Sequence, residues 1–88
     1  MKIRGEFIIR RVVEDIVAIP VGNTALEFNG MIMLNEVSKV IWDCLAQGSD
    51  ISQIVTAVTD AFEVSPQEAR EDILEFIRKL DEARLLEE

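Results

Sequence analysis

The chain has no His and no Tyr, and only one Cys, one Trp and two Pro among its 88 residues. Without an imidazole, neither a Ser–His nor a Cys–His nucleophile pair can be assembled, because the base is missing. A single thiol excludes a disulfide framework within the chain, and the His- and Cys-rich zinc sites go with it. Carboxylates are plentiful, but no pattern sets two of them in an apolar cleft for acid–base work. These absences point away from an enzyme, and no cofactor is expected. Basic residues are also few: nine Lys and Arg stand against seventeen Asp and Glu, a net charge of −8. The excess is uneven, with four bases and four acids in residues 1–34, one against five in 35–65, and four against eight in 66–88. A nucleic-acid binder needs the opposite bias, since its affinity comes from cations that displace phosphate counterions. No apolar run approaches the ~18–20 residues of a membrane span. Lys2, Arg4 and Glu6 break up any signal-peptide core. The expectation is a cytoplasmic protein that engages neither nucleic acid nor membrane.

What is present is an ordinary globular composition, 49% hydrophobic and 30% charged. At this length it predicts one small domain over residues 1–88, which buries only about 60–65% of its unfolded surface. The first third reads as strands, about 7–34. Phe7 to Val13 and Ile16 to Val21 are rich in β-branched and aromatic residues, with Glu14-Asp15 as the turn between them. Pro20 belongs at a strand end or an edge. Gly22-Asn23 and Asn29-Gly30 are turn signals, the second suited to a type I′ hairpin. Met31 to Leu34 then forms a third strand, and Thr24 to Phe28 is either a further short strand or a loop.

The remainder predicts three helices, at about 36–47, 51–62 and 66–84. Asn35 caps the first, whose Val37, Val40, Ile41, Cys44 and Leu45 recur at helical spacing before Gly48 ends it. Asp50-Ile51-Ser52-Gln53 has capping-box form and opens the second, with Ile51, Ile54, Val55, Val58 and Phe62 inward. Ser65-Pro66-Gln67-Glu68 opens the third with a cap, Pro at the first helical position, and Glu three residues after the cap. Strands followed by helices define an α+β fold. The short link Glu63-Val64-Ser65 forces a sharp turn that suits a helix-turn-helix geometry, in a three-stranded antiparallel sheet followed by three helices.

Two features bear on function. On the third helix, Ala69, Ile73, Phe76, Ile77 and Leu80 make a core stripe, while Leu74 lies off its centre near Arg70, Ile77, Arg78 and Asp81. That flank suits a segment with apolar and acidic side chains; equally, Leu74 is a rim residue and Arg70 pairs with acids one turn away. The strand Met31-Ile32-Met33-Leu34 carries neither charge nor Pro. At a sheet edge it would accept an added peptide strand, whereas in a central position, or covered by Thr24 to Phe28, it would not. Two further residues stay open: Trp42 either anchors a partner or wraps the edge of a small core, and Cys44 reads as a small core residue.

Taken in order, these residues resemble the PqqD family, the RiPP recognition elements. The resemblance runs through Ile19-Pro20, Phe28-Asn29-Gly30 and Ile32-Met33-Leu34-Asn35-Glu36. It continues through Ile41-Trp42 with Leu45, Gly48, Ile54-Val55 and Val64-Ser65, and closes with Asp72-Ile73, Phe76-Ile77, Leu80 and Leu85-Leu86. Where the pyrroloquinoline quinone proteins carry Pro-Glu-Gly ahead of the Leu-Asn step, this chain has Asn29-Gly30. The resemblance implies a small winged helix-turn-helix-like domain of three strands and three helices, and peptide binding without catalysis. Its members bind the leader segment of a ribosomally made precursor as an added strand beside the third strand, against the third helix. They then present it to a modifying enzyme, often a radical S-adenosylmethionine protein. Carried onto this sequence, the peptide site is Met31, Ile32, Met33 and Leu34 with Arg70, Leu74, Ile77, Arg78 and Asp81. The alternatives are a winged-helix DNA-binding protein, which the charge opposes, and a self-associating adaptor whose strand edge pairs with its own copy as a homodimer.

Overall fold

The β-branched run from Phe7 to Pro20 folds as a hairpin, since alternate side chains find one buried face. In the computed structural model, which describes residues 1–87, the elements are β1 (Lys2–Ile3), β2 (Phe7–Val12), β3 (Asp15–Pro20), α1 (Thr24–Glu27), β4 (Ile32–Leu34), α2 (Glu36–Ala46), α3 (Ile51–Ala61), α4 (Pro66–Glu82) and β5 (Leu86–Glu87). Strands β2, β3 and β4 form an antiparallel sheet in that order, so the architecture is α+β as the pattern predicts. β4 is the expected third strand, and α2, α3 and α4 are the three expected helices, each within about two residues of the predicted bounds. Val12 pairs with Asp15, so the hairpin turn is Val13–Glu14, one residue earlier than Glu14-Asp15. Ile16 and Ala18 of the central strand β3 are buried in the core, where Leu34 of β4 joins them.

The local helix signals behave as their chemistry requires. Asn35 Oδ1 accepts from the Ser38 N–H at 2.8 Å, while Ser38 Oγ accepts from the Asn35 N–H at 2.7 Å. Asp50 and Gln53 make the same reciprocal pair at 2.8 and 2.9 Å, and Ser65 Oγ accepts from the Glu68 N–H at 3.1 Å. Each cap satisfies backbone donors that the first helical turn leaves unpaired. The end of α2 is a Schellman turn: Ser49 N–H reaches Cys44 O at 3.0 Å and Gly48 N–H reaches Leu45 O at 3.0 Å. That turn needs a left-handed residue, and Gly48 supplies it at φ +82°.

Three helices cover one sheet face with Ile41, Trp42, Leu45, Ile54, Val58, Ala69, Ile73 and Leu80, all buried. Trp42 is a core residue: its ring meets Phe7 edge-on at 5.2 Å, and Phe7 meets Phe28 at 6.0 Å. Cys44 packs partly buried against this core, as expected of a small apolar side chain. Arg11 of β2 reaches Glu36 at the start of α2 at 2.8 Å and holds its carboxyl below the usual range.

Two features differ from the sequence expectation. Asn29-Gly30 makes no hairpin, because the segment before it, Thr24–Glu27, is a single helical turn and not a strand. The terminal pair β1–β5 is the other addition: Ile3 opposes Leu86 and Lys2 opposes Glu87. The Arg4 N–H also donates to Leu85 O, at 2.6 Å. Two-residue strands carry no readable alternation, so no pattern announces them.

Candidate functional site

β4 is an edge strand. One side of it pairs with β3, Ile32 to Ala18, Met33 to Val17 and Leu34 to Ile16. Among the described residues no other backbone hydrogen bond reaches residues 31–34, so its second edge keeps alternate N–H and C=O groups unpaired. The segment that was open to a covering role, Thr24 to Phe28, turns back as α1 and leaves that edge free. Edge strands of this kind are normally blunted by charge or Pro. Here Met31 and Met33 stand 57% and 59% exposed beside it.

Between this edge and α4 lies a groove of about 420 Å³. Its floor and walls are Phe28, Ile32, Met33, Val37, Ile41, Phe76, Leu80 and Leu85, with Asn35, Ser38, Asp72, Glu75, Lys79 and Ala83 at the rim. The apolar members come from the core itself: Phe76, Ile32 and Phe28 pack against the buried cluster on one side and face the groove on the other. Lys79 Nζ lies 3.7 Å from Glu75 Oε1, one turn apart on α4. Backbone donors and acceptors along one wall and apolar pockets along the other are what strand addition requires.

Of the strand residues expected in a peptide site, Ile32 and Met33 line the groove. Leu34 turns into the core at 7% exposure and contributes backbone only, and Met31 precedes the strand without lining the groove. The helix half of the expected site falls elsewhere on α4. Arg70, Leu74, Ile77, Arg78 and Asp81 do not line the groove; the α4 residues that do are Asp72, Glu75, Phe76, Lys79, Leu80 and Ala83. At 100° per residue the two sets are centred roughly 173° apart. A core stripe leaves two flanks on a helix, and the apolar residue between two Arg marks the flank turned away from β4. The stripe Phe76–Leu80 was legible in the spacing, but the side on which the sheet edge would lie depends on the path of the chain. Leu74 is 41% exposed, and Ile77 packs partly buried against the core.

A neighbouring basin of about 380 Å³ is lined by Arg4, Gly5, Thr24, Glu27, Phe28, Ala83, Arg84 and Leu85. Thr24 Oγ1 accepts from the Glu6 N–H there at 2.8 Å. Among the described residues no group of three or more Cys, Asp or Glu is placed to hold a metal ion, and no helix is long and apolar enough to cross a membrane.

The fold and site define a small α+β domain that offers a free strand edge beside a helix-walled apolar groove. Residues 16–86 match the family described as "Coenzyme PQQ synthesis protein D (PqqD)", and the chain belongs to that family. A search of curated proteins finds no match. Two solved structures share the fold. TbiB1, in complex with the TbiA(beta) leader peptide, is 24% identical, with a TM-score of 0.74 over 99% of this chain and 95% of that one. A lasso peptide synthetase B1, complexed with the leader peptide, is 19% identical, with a TM-score of 0.71 over 96% of this chain and 93% of that one.

Proposed function

We propose that the protein is a non-catalytic module that captures the leader segment of a ribosomally made precursor peptide and presents it to a modifying enzyme. The observation that carries this reading is the unpaired edge of β4 facing the apolar groove on α4. An extended peptide satisfies the free N–H and C=O groups while every second side chain drops into the groove. Ladder bonds supply affinity without regard to sequence, and the groove supplies selection. Family membership and the two leader-bound neighbours of the same fold support it. The absence of His, and of more than one Cys, fits a protein that leaves the chemistry to a partner, of which a radical S-adenosylmethionine enzyme is one class.

The test is a titration of isotope-labelled protein with the leader peptide encoded beside its gene. Amide shifts are expected along residues 31–35 and the groove face of α4. Peptides N-methylated at alternate backbone positions should lose binding in one register and keep it in the other. Shifts confined to the far side of α4, around Leu74, would overturn the site, and indifference to N-methylation would overturn strand addition. Light scattering of the free protein checks the competing use of the same edge, pairing with a second copy; a dimer that persists when the leader is added would favour the adaptor reading.

A further inference from the structure

The groove does not stop at β4. Phe28, Ala83 and Leu85 line both it and the neighbouring basin, so the two adjoin and together make a channel with these residues at its middle. Its ends carry opposite charge. Toward the start of α4 the wall holds Asp72 and Glu75 against Lys79, and Lys79 is already drawn to Glu75 at 3.7 Å. Past the end of α4 the basin holds Arg4 and Arg84 against Glu27. Among the described residues Asp72, Arg4, Arg84 and Glu27 make no ion pair.

The direction of β4 along this channel follows from its contacts. Phe28, at the basic end, meets Phe7, and Phe7 pairs with Pro20, beyond the Ala18–Ile32 pair. The basic end therefore adjoins the start of β4, and the strand runs from it toward the acidic end. A peptide added antiparallel to β4 runs the other way, from acidic end to basic end. Antiparallel pairing is the more stable ladder per residue. From Asp72 to Ala83 the helix rises about 16 Å, the length of roughly five residues of strand.

Arg84 supplies an independent observation. It occupies the left-handed position after α4, at φ +61°, within a Schellman turn in which Leu85 N–H reaches Leu80 O and Arg84 N–H reaches Asp81 O, both at 2.9 Å. The same turn after α2 uses Gly48. An Arg there carries a conformational cost that Gly would avoid, and it places a cation in the wall of the basin.

We infer that, granted strand addition to β4, the channel selects a peptide whose charge is ordered along its length. A Lys or Arg lies at the N-terminal end against Asp72 and Glu75. Alternate apolar side chains follow in the groove, and an Asp or Glu lies roughly five residues on against Arg4 and Arg84.

The experiment uses three capped, fluorescein-labelled peptides that share one alternating Leu/Thr centre. One has Lys before and Asp after it, one has the two charges exchanged, and one has Ser at both places. Anisotropy titrations at low salt should rank them matched, neutral, reversed. About tenfold is expected between the first and last, a gap that shrinks as salt screens the exposed charges. In Arg84→Gly, a substitution the backbone favours, the gap between matched and reversed peptides should narrow. Asp72→Asn combined with Glu75→Gln should narrow it from the other end. Equal affinities, or a tighter reversed peptide, would overturn the charge order while strand addition stands. Binding by none of the three would remove strand addition to this groove and the charge order together.

Discussion

Val13 and Arg84 both hold left-handed backbone, at φ +58° and +61°, yet only Arg84 gains a functional setting from it. Val13 sits at the first central position of the β2–β3 turn and is 90% exposed, so no packing offsets its conformation. A branched Cβ in that region costs of order 1–3 kcal/mol, whereas Gly is the residue that such mirror-image hairpin turns prefer. Val13→Gly should therefore raise stability by about 1 kcal/mol, after roughly 0.5–1 kcal/mol for the added freedom of the unfolded chain. A higher urea midpoint at unchanged slope is the readout; a lower one would mean that Val13 serves the fold through a contact. Cys44 is the other residue whose setting alters its chemistry. Burial, and after it the neighbouring Asp43 carboxylate, push its thiol above the ordinary range. The folded state then favours the neutral thiol. Its contribution to stability is complete below the unfolded value and is lost as pH rises through the folded one. The stability difference between the native chain and Cys44→Ala should thus narrow on going from about pH 7 to about pH 10. Denaturant midpoints at each pH measure it, and a constant difference would place the thiol in contact with water.

At the scale of elements, α4 has two sides with different duties, and one titration separates them. Phe76 lines the groove and Leu74 does not. Phe76→Ala should weaken leader binding about tenfold, the loss of roughly 1.4 kcal/mol of apolar contact. Leu74→Asp should change binding less than twofold and leave the melting temperature nearly unmoved, since its side chain is 41% exposed. The reverse ranking would return the site to the Arg70–Arg78 flank. The same contrast marks what a sequence can disclose. Helix starts are local chemistry, three or four residues long, and Asn35, Asp50 and Ser65 each formed the cap that its neighbours announce. The exposed edge of β4 was half legible: Met31 to Leu34 lack the usual protection, but whether Thr24 to Phe28 covered them depended on α1 forming a helical turn. The groove wall was the least legible part. Its residues Phe76 and Leu80 read as core and are core on one side, while Asp72, Glu75 and Lys79 read as ordinary helix surface. Only the chain's path, which lays β4 against that flank, gives them a common partner.

At the scale of the whole molecule, the first and last strands, β1 and β5, meet at the basic end of the channel. β1 and β5 pair across nearly the full sequence, and Arg4 and Leu85, joined by a backbone hydrogen bond, also line the basin. Ordering a few terminal residues costs about 1–2 kcal/mol each in backbone freedom. Against that stand the partial burial of Ile3 and Leu86 on the core and a handful of ladder bonds at about 1 kcal/mol each. The terms nearly cancel, so the clip belongs to the least stable part of the fold and opens locally before the core does. None of the buried core residues lies in residues 1–4, and Ile3 and Leu86 only pack against the core from its margin. Deleting residues 1–4 should then cost only about 1–2 kcal/mol, a fall of roughly 5–10 °C in melting temperature for a domain of this size. Amides of residues 86 and 87 should exchange freely while those of α3 stay protected. The functional consequence is more selective than the loss of stability. The β4 edge and the groove beside Phe76 remain, so the neutral peptide should still bind. The preference for the charge-matched peptide should shrink, because Arg4 is gone from the basin. A full collapse of binding would instead show that the terminal pair holds the strand edge itself in place. Partial retention, with the charge order weakened, would show a binding groove built on the core and a selective end built beside the β1–β5 pair.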